Sequence, residues 1–303
     1  MTPPATETPG FKSGFVAIAG APNAGKSTLL NRILGQKVSI ISSKPQTTRT
    51  RILGVCHRPG AQIVFSDTPG IFAAQGPLNT KIVATALGAI DEADVLLAVV
   101  DAAHPDPAAE TFLAEKLAGR RRPAILALNK VDLIPDKATL LDTIARWSGR
   151  HAFAAVVPVS ALDGTQVDTL VEAIVQALPP GPPYFPEDAV TDATERFLAA
   201  ELIREKIFRL TGEEVPYASA VSVESYTASA DGRRVSIEAT IHLERDSQKG
   251  IVIGKGGAML KRIGSEARQD IAQMTGTAVY LKLFVRVQKN WRKDTKAIER
   301  FGY

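Results

Sequence analysis

The sequence predicts an α/β domain with a mostly parallel sheet and helices on both faces, followed by a smaller α+β domain. Three observations carry that expectation. Short apolar, β-rich runs alternate with helically spaced segments through the first 180 residues. Pro179–Pro186, PPGPPYFP, cannot continue a helix and reads as an extended linker. The charge balance then changes: residues 1–180 hold 17 Lys+Arg against 15 Asp+Glu, residues 181–248 hold 7 against 13, and residues 249–303 hold 12 against 4.

The strand runs are Phe15–Ala19, Arg51–His57, Gln62–Phe65, Val95–Val100, Ala124–Leu128 and Ala155–Val159. Between them Ser27–Leu34, Thr80–Ile90, Ala108–Leu117 and Val167–Leu178 carry helical spacing. Arg58-Pro59-Gly60 joins two adjacent strands as a hairpin, so one edge is antiparallel. In such a sheet, ligands sit at the carboxyl ends of the strands. The boundaries read as a tail over 1–13, a first domain over 14–180, the linker over 181–190 and a second domain over 191–303. The second domain runs as a helix (Asp192–Leu210), extended Ser219–Tyr226, a turn at Asp231-Gly232 and extended Arg233–His242. It continues with a strand-like Ile251–Ile253, a glycine loop, a helix from Ala258 and a last strand, Ala278–Val287.

Composition bounds the function. At 303 residues, 45% hydrophobic and 22% charged, the chain reads as globular with two cores. The single cysteine, Cys56, excludes an intramolecular disulfide and fits a reducing compartment. The start, MTPPATETPGFKSG, lacks the apolar centre of a secretory signal, and the longest apolar run, Val95–Val100, is too short to span a bilayer. The basic C-terminal end points to a polyanion or to a solvated face.

Phe15–Leu30, FVAIAGAPNAGKSTLL, passes from a strand through a glycine turn into a helix and contains G-x-x-x-x-G-K-S. Glycines let successive N–H groups turn toward an anion, and the helix start adds positive potential. The loop Gly20, Ala21, Pro22, Asn23, Ala24, Gly25, Lys26, Ser27, Thr28 is therefore a candidate phosphate cradle, and the first domain a P-loop NTPase. Lys26 can reach β and γ phosphates, and the Ser27 hydroxyl can ligate Mg²⁺. Asp67-Thr68-Pro69-Gly70 follows an apolar strand: its carboxylate can hold Mg²⁺, and the Gly70 N–H can meet a γ phosphate. Asn129, Lys130 and Asp132 of N-K-V-D end another strand. The Asp132 carboxylate can accept both the ring N–H and the exocyclic amine of guanine, a donor pair adenine lacks. Ser160-Ala161-Leu162 can offer a backbone N–H to the guanine oxygen.

These motifs, in this order, resemble those of the translation-factor-related GTPases. The resemblance implies that Thr48 closes over Mg²⁺ and the γ phosphate, with Thr47 its rival. Position 71, where signalling GTPases place a water-orienting glutamine, is Ile71. Among GTPases with a hydrophobic residue there, many use an asparagine of the phosphate loop to hold K⁺; Asn23 matches it. Thus Ser27, Thr48 and Asp67 are the expected Mg²⁺ ligands and Asn23 the K⁺ ligand, with Asn23, Lys26, Thr48 and Gly70 acting in hydrolysis of GTP to GDP.

Gly254-Lys255-Gly256-Gly257 has the G-x-x-G form with which KH domains clamp single-stranded nucleic acid. Ile253, Lys255, Lys261 and Arg262 flank it, and Lys289, Trp291 and Arg292 of K-N-W-R end the basic block. Trp291 either stacks on a base or packs. The α-β-β-α-β order is that of a type II KH domain. A dinucleotide-binding turn is disfavoured there because no βαβ unit surrounds it.

The whole arrangement, with P-Q-T-T-R at Pro45–Arg49, resembles the Era family of bacterial ribosome-assembly GTPases from about Gly14 onward. That resemblance implies a GTP-hydrolysing switch whose nucleotide state sets domain arrangement and RNA affinity. It also implies binding of the 3′ end of 16S rRNA, a role in maturing the small (30S) subunit, a cytoplasmic monomer and some peripheral association with the inner membrane. The rivals are a passive RNA-binding module and a membrane or cell-cycle GTPase using its basic end on anionic lipid. His57, His104, His151 and His242 show no metal or triad spacing, Arg120–Arg122 read as a helix cap, and Trp147 as packing.

Overall fold

The structure is a computed structural model and describes residues 10–42, 44–45, 47–70 and 76–303. Ile71, on which the argument about water orientation turns, and Gln46 of P-Q-T-T-R lie outside them. The described residues form two compact units, 10–39, 48–70 and 82–192 in the first, and 40–42, 44–45, 47, 76–81 and 193–303 in the second.

In the first unit the elements run β1 (Lys12–Ala19), α1 (Lys26–Leu34), β2 (Ile52–Arg58), β3 (Ala61–Asp67), α2 (Gly76–Glu92, whose first turns belong to the second unit) and β4 (Val95–Asp101). Then come α3 (Pro107–Leu117), β5 (Ala124–Asn129), α4 (Leu140–Ser148), β6 (Ala155–Pro158) and α5 (Val167–Ala177). The sheet order is β2-β3-β1-β4-β5-β6, with β2 antiparallel to β3 and every other pair parallel. Arg58 and Ala61 close the expected hairpin.

Both faces of this sheet are buried, so the strands read as continuous apolar runs whose alternate residues enter different cores. Val16 and Ile18 of β1, Val95, Leu97 and Val99 of β4, and Ile125 and Ala127 of β5 meet Leu29, Leu30 and Ile33 of α1 and Leu170 and Ile174 of α5. On the other side Ala17 and Ala19, Leu96, Ala98 and Val100, and Leu126 and Leu128 meet Ala86 and Ile90 of α2, Leu113 and Leu117 of α3, and Trp147 of α4. Each fully buried Val, Leu or Ile stabilises by about 1.5–3 kcal/mol. Helix α4 is an element the strand runs do not announce; Trp147 at its end is fully buried. Arg120 does serve the end of α3, its Nε donating to the Lys116 carbonyl at 2.9 Å. Parallel pairing places the carboxyl ends of β1, β3, β5 and β6 along one edge, where the phosphate loop, D-T-P-G, N-K-V-D and Ser160-Ala161-Leu162 lie, while Thr48 comes from the segment between α1 and β2.

The second unit runs α6 (Glu195–Leu210), α7 (Val215–Ala218), β7 (Ala220–Ala228), β8 (Arg234–Leu243), α8 (Asp246–Ile253), α9 (Ala258–Thr275), β9 (Ala278–Val287) and α10 (Thr295–Arg300). Its sheet order is β7-β8-β9, antiparallel then parallel. Val235, Ile237, Ala239 and Ile241 of β8 pack against Leu202, Ile203 and Ile207 of α6 and Ile263, Ala267 and Ile271 of α9.

The expectation of a strand at Ile251–Ile253 is overturned: these residues are the last turn of α8. Their β-branched run suggests a strand, but the Gln248 carboxamide accepts from the N–H groups of Glu244 and Arg245 at 3.0 and 3.1 Å and starts a helix. Burial of Val252 then holds it.

Candidate nucleotide site and nucleic-acid interface

The loop between β1 and α1 takes its shape from close approach. A Cβ on Gly20 would lie 2.2 Å from the Val99 carbonyl oxygen, so only glycine fits. Gly25, at φ 94°, caps α1, and a Cβ there would meet the Asn129 amide nitrogen at 2.2 Å. Asn23 also stands at positive φ, 63°, which asparagine tolerates. Helix α1 has no side-chain cap and no acidic residue in its first turn, so its N-terminal amides remain a site for an anion.

Lys26 lies inside this loop, 6% exposed, its ammonium donating to the carbonyls of Gly20 at 3.1 Å and Ala21 at 2.8 Å. Burial pushes its pKa down to about 8, and the Asp67 charge pulls it upward. A phosphate in the loop would supply further negative charge and favour the ammonium.

Asp67, at the end of β3, is wholly buried. Its Oδ2 accepts from the hydroxyls of Ser27 at 2.7 Å and Ser39 at 2.6 Å, while its Oδ1 has no partner. Burial pushes the carboxyl pKa up, and the two hydroxyls and the Lys26 charge oppose it. The Thr48 hydroxyl lies 3.2 Å from Ser27 Oγ, whereas the Thr47 hydroxyl donates to the Lys44 carbonyl at 2.8 Å. The structure thus brings Thr48, and not Thr47, to Ser27, whose hydroxyl bonds Asp67. One buried carboxylate oxygen lacking a partner, beside two hydroxyls, is a hard-oxygen donor set that fits Mg²⁺.

Thr68 has a different task, its buried hydroxyl donating to the Ile18 carbonyl at 2.7 Å. That bond ties the D-T-P-G turn to β1. A Cβ on Gly70 would come within 2.9 Å of Pro22, so this glycine lets the turn lie against the phosphate loop.

Asn129, the last residue of β5, is buried and joins two motifs. Its Nδ2 donates to the Ala24 carbonyl at 2.8 Å, and its Oδ1 accepts from the Ala161 N–H at 2.9 Å. The Ala161 N–H, a candidate donor to guanine, is engaged by this side chain. Lys130, at φ 67°, reaches back to Asp101 Oδ2 at 2.6 Å, while Asp132 stands exposed on the short turn that follows. Ser160 is buried, and Leu162 is exposed. Arg32 of α1 donates to the carbonyls of Ala161, at 3.2 Å, and of Leu162.

Ser39 and Asp101 are site residues that sequence reasoning missed. Ser39 interrupts the apolar run Val38-Ser39-Ile40, a polar residue with nothing adjacent to satisfy it, and that was its available signal.

In the second unit Gly254 has φ 71° and ψ 173°, a region open essentially to glycine alone, and a Cβ there would meet Met259 N at 2.9 Å. Gly256 and Gly257 follow at φ 58° and 81°, with open space where their Cβ atoms would be. Gly257 caps α9 with no side-chain bond, leaving the amides at that helix start for an anion. Ile253 is half-buried, Lys255 and Lys261 are exposed, and Arg262 is exposed with its Nε 3.0 Å from Glu266 Oε1. Lys289 is exposed as well.

Trp291 is corrected. It is 0% exposed, its indole N–H donates to the Ala218 carbonyl at 2.9 Å, and Phe301 lies edge-on at 5.2 Å. No face remains for a base, so Trp291 packs. Arg292 beside it donates from Nε and Nη2 to Glu244 Oε2 at 2.9 and 2.5 Å, which commits much of its guanidinium to that carboxylate.

Comparison with known proteins agrees with these two sites. Residues 15–130 match the family model described as 50S ribosome-binding GTPase, and residues 214–292 match the KH domain model. The chain is 55% identical over 293 residues to GTPase Era of Geobacter metallireducens, covering 97% of this chain and 98% of that one. It is 49% identical over 292 residues to GTPase Era of Lacticaseibacillus paracasei, covering 96% of each. A crystal structure of Era with MgGDPNP and nucleotides 1506–1542 of 16S ribosomal RNA superposes with a TM-score of 0.93 at 42% identity, over 97% of this chain and 99% of that chain. The crystal structure of a point variant of Aquifex aeolicus Era bound to GDP·AlF₄⁻ matches with the same TM-score, identity and coverage. With a phosphate loop built on β1 and a G-x-x-G loop opening α9, the chain belongs to the Era family of GTPases.

Proposed function

We propose that this GTPase uses its KH domain to bind the 3′ end of 16S rRNA, and that the nucleotide it holds sets RNA affinity during assembly of the small ribosomal subunit. The observation that carries this is the loop Gly254–Gly257, three of its four residues at positive φ, at the uncapped start of α9. It supports close approach of a sugar–phosphate backbone, and the related Era structure holds 16S rRNA nucleotides 1506–1542. Binding of that RNA to the full chain, loaded with GDP or a non-hydrolysable GTP analogue, tests it. Gly256→Asp meets no neighbouring atom, though φ 58° strains its backbone, and should remove RNA binding while GTP binding persists. Retained RNA affinity would sink the assignment.

In the nucleotide site, Ser27, Thr48 and Asp67 would hold Mg²⁺, the buried Asp67 Oδ1 being the oxygen without another partner. When bound, the metal neutralises charge on the β and γ phosphates. Lys26 provides a second positive charge from within the loop, and α1 presents its first-turn amides. The Gly70 N–H, in a turn that lies against Pro22, would meet the γ phosphate, and Asp132 would read guanine through its two donors. Lys26 and Asp67 are held in place by burial and hydrogen bonds, which limits the reorganisation that stabilising the transition state requires.

Asn23 in the phosphate loop, together with the isoleucine that the sequence carries at position 71, supports a K⁺ ion near the phosphates, which would stabilise developing charge as an arginine finger does. GTP turnover in K⁺ and Na⁺ buffers tests it, with equal rates, unchanged by Asn23→Ala, as the contrary result. The reading takes residues 14–180 and 191–303 as the working domains of a cytoplasmic monomer, with peripheral contact to the inner membrane through the basic C-terminal block. Among the described residues, no helix is long and apolar enough to cross a membrane. Flotation with vesicles of anionic lipid and sedimentation equilibrium test those two points.

A further inference from the structure

We propose that the outward face of β9 is a second surface for single-stranded RNA, on which Tyr280 and Phe284 stack unpaired bases while Lys282 and Arg286 hold the backbone. The proposal rests on the RNA-binding reading of this domain and deepens it.

Strand β9 alternates. Val279, Leu281, Leu283 and Val285 turn into the core beneath α6 and α9, and Leu283 Cδ1 lies 3.4 Å from the Cβ position of Gly264 on α9. Tyr280, Lys282, Phe284 and Arg286 therefore stand on the face that those helices do not cover. Tyr280 is 58% exposed and Phe284 38% exposed. A single exposed ring needs no explanation, but two rings on one stripe, interleaved with two cations, form a repeated pattern. Four residues along a strand separate them by about 13 Å, with Lys282 between. Its ammonium lies 4.9 Å from the Phe284 ring centroid.

The neighbouring strand leaves the rings bare at one end and closes the face at the other. In register, Tyr280 pairs with Ser236 and Lys282 with Glu238, while Arg286 pairs with His242. His242 carries the Phe301 ring at 4.4 Å, so the chain's C-terminal end covers that end of the face. The Lys282 Nζ to Glu238 Oε1 contact of 3.3 Å joins two half-exposed side chains and costs little to exchange for a phosphate. Glu224, at the β7 bulge, is engaged by the Ser222 hydroxyl at 2.7 Å. Arg234, Lys282 and Arg286 outnumber Glu238 along β8 and β9.

Stacking selects the occupant. Duplex RNA keeps its base faces within its own stack, whereas a single strand can lay them on aromatic rings, tolerant of sequence, with cations beside its phosphates. The glycine loop opens α9 on the helical side of the sheet. A short oligonucleotide filling that loop would not reach Tyr280 and Phe284; a longer strand passing around β9, an edge strand, would.

The test uses the full chain and two probes: RNA of the sequence 1506–1542 held by the related Era structure, and a single-stranded piece of roughly six nucleotides from its 3′ end. Tyr280→Ser with Phe284→Ser should weaken the long probe by about thirtyfold or more and leave the short one unchanged. Exchanging the rings, Tyr280→Phe with Phe284→Tyr, should restore binding. Independently of any variant's folding, photo-crosslinking of 4-thiouridine-labelled long RNA to the unaltered protein should mark the peptide containing Tyr280–Phe284. Crosslinks confined to 253–262, unchanged long-probe affinity, equal loss on both probes, or a dimer dissolved by the serine pair with no effect on RNA would each overturn the proposal. Failure of the unaltered chain to bind the long probe at all would instead overturn the RNA-binding reading beneath it.

Discussion

The carboxamide of Asn129 holds the carbonyl of Ala24 at 2.8 Å across 105 residues of sequence. Together with its 2.9 Å bond from the Ala161 N–H, this makes the last residue of β5 a brace between the phosphate loop and the loop after β6. Asn129→Ala would leave both buried backbone groups unpaired, at about 1–3 kcal/mol each. The expected outcome is a lower melting temperature and at least tenfold weaker binding of GDP and GTP alike, read by titration with a fluorescent guanine nucleotide. Asp132→Ala should differ. Exposed and bonded to neither loop, it should lose guanine preference with little change in melting.

Asp67→Asn separates charge from shape. Burial already pushes the Asp67 carboxyl pKa up, so removing the charge offsets the cost of burying an amide NH2 where Oδ1 has no partner, and the melting temperature should change little. It should nevertheless abolish the Mg²⁺ dependence of nucleotide affinity and lower GTP turnover on the order of 100-fold. A Mg²⁺ titration of nucleotide release, alongside thermal unfolding, checks both. Unchanged Mg²⁺ dependence would remove Asp67 from the metal site.

How much of this was legible in the sequence depended on whether a residue's type was dictated by its neighbours. Gly20 and Gly25 could be nothing else, with carbonyl or amide atoms 2.2 Å from where a Cβ would lie, and that constraint is what a motif records. The buried parallel strands were legible because both faces demand apolar residues. The choice between Thr47 and Thr48 was not, since it turns on which hydroxyl faces Ser27. The choice between stacking and packing for Trp291 was not legible either, because a ring in a basic segment suits a base or a core equally well until the Ala218 carbonyl is seen beneath its N–H. The strand assigned at Ile251–Ile253 failed for a related reason: β-branched propensity was outweighed by the Gln248 cap and by burial of Val252.

The glycine loop of the second domain should divide into a structural and a functional half. At Gly254, φ 71° and ψ 173° with Met259 at 2.8–2.9 Å make alanine costly, about 1–3 kcal/mol. Gly254→Ala should therefore lower both the melting temperature of this domain and RNA affinity. Gly256→Asp, with open space about its Cβ and strained only by its φ of 58°, should lower RNA affinity with the smaller loss of melting temperature. Differential scanning calorimetry with RNA binding on the same preparations separates them, and equal melting loss in the two variants would contradict the assignment.

His242 supplies a pH dependence. Burial against Phe301 pushes its pKa down to about 4 and outweighs the upward pull of Glu224, while Arg300 and Arg286 add to the lowering. The folded chain therefore keeps the imidazole neutral where the unfolded chain, titrating near 6.5, takes up a proton. Between pH 6.5 and pH 4 the unfolded state binds more protons, so stability falls as the pH is lowered, by up to about 1.4 kcal/mol per pH unit from this group. Below pH 4 both states are protonated and the loss levels off. His242→Gln keeps a partner for the Ser222 hydroxyl, which lies 2.8 Å from the ring nitrogen, and has no proton to gain. Melting of the second domain measured from pH 7 to pH 4 should fall less steeply in that variant than in the unaltered chain, and parallel curves would show that His242 is not the group responsible.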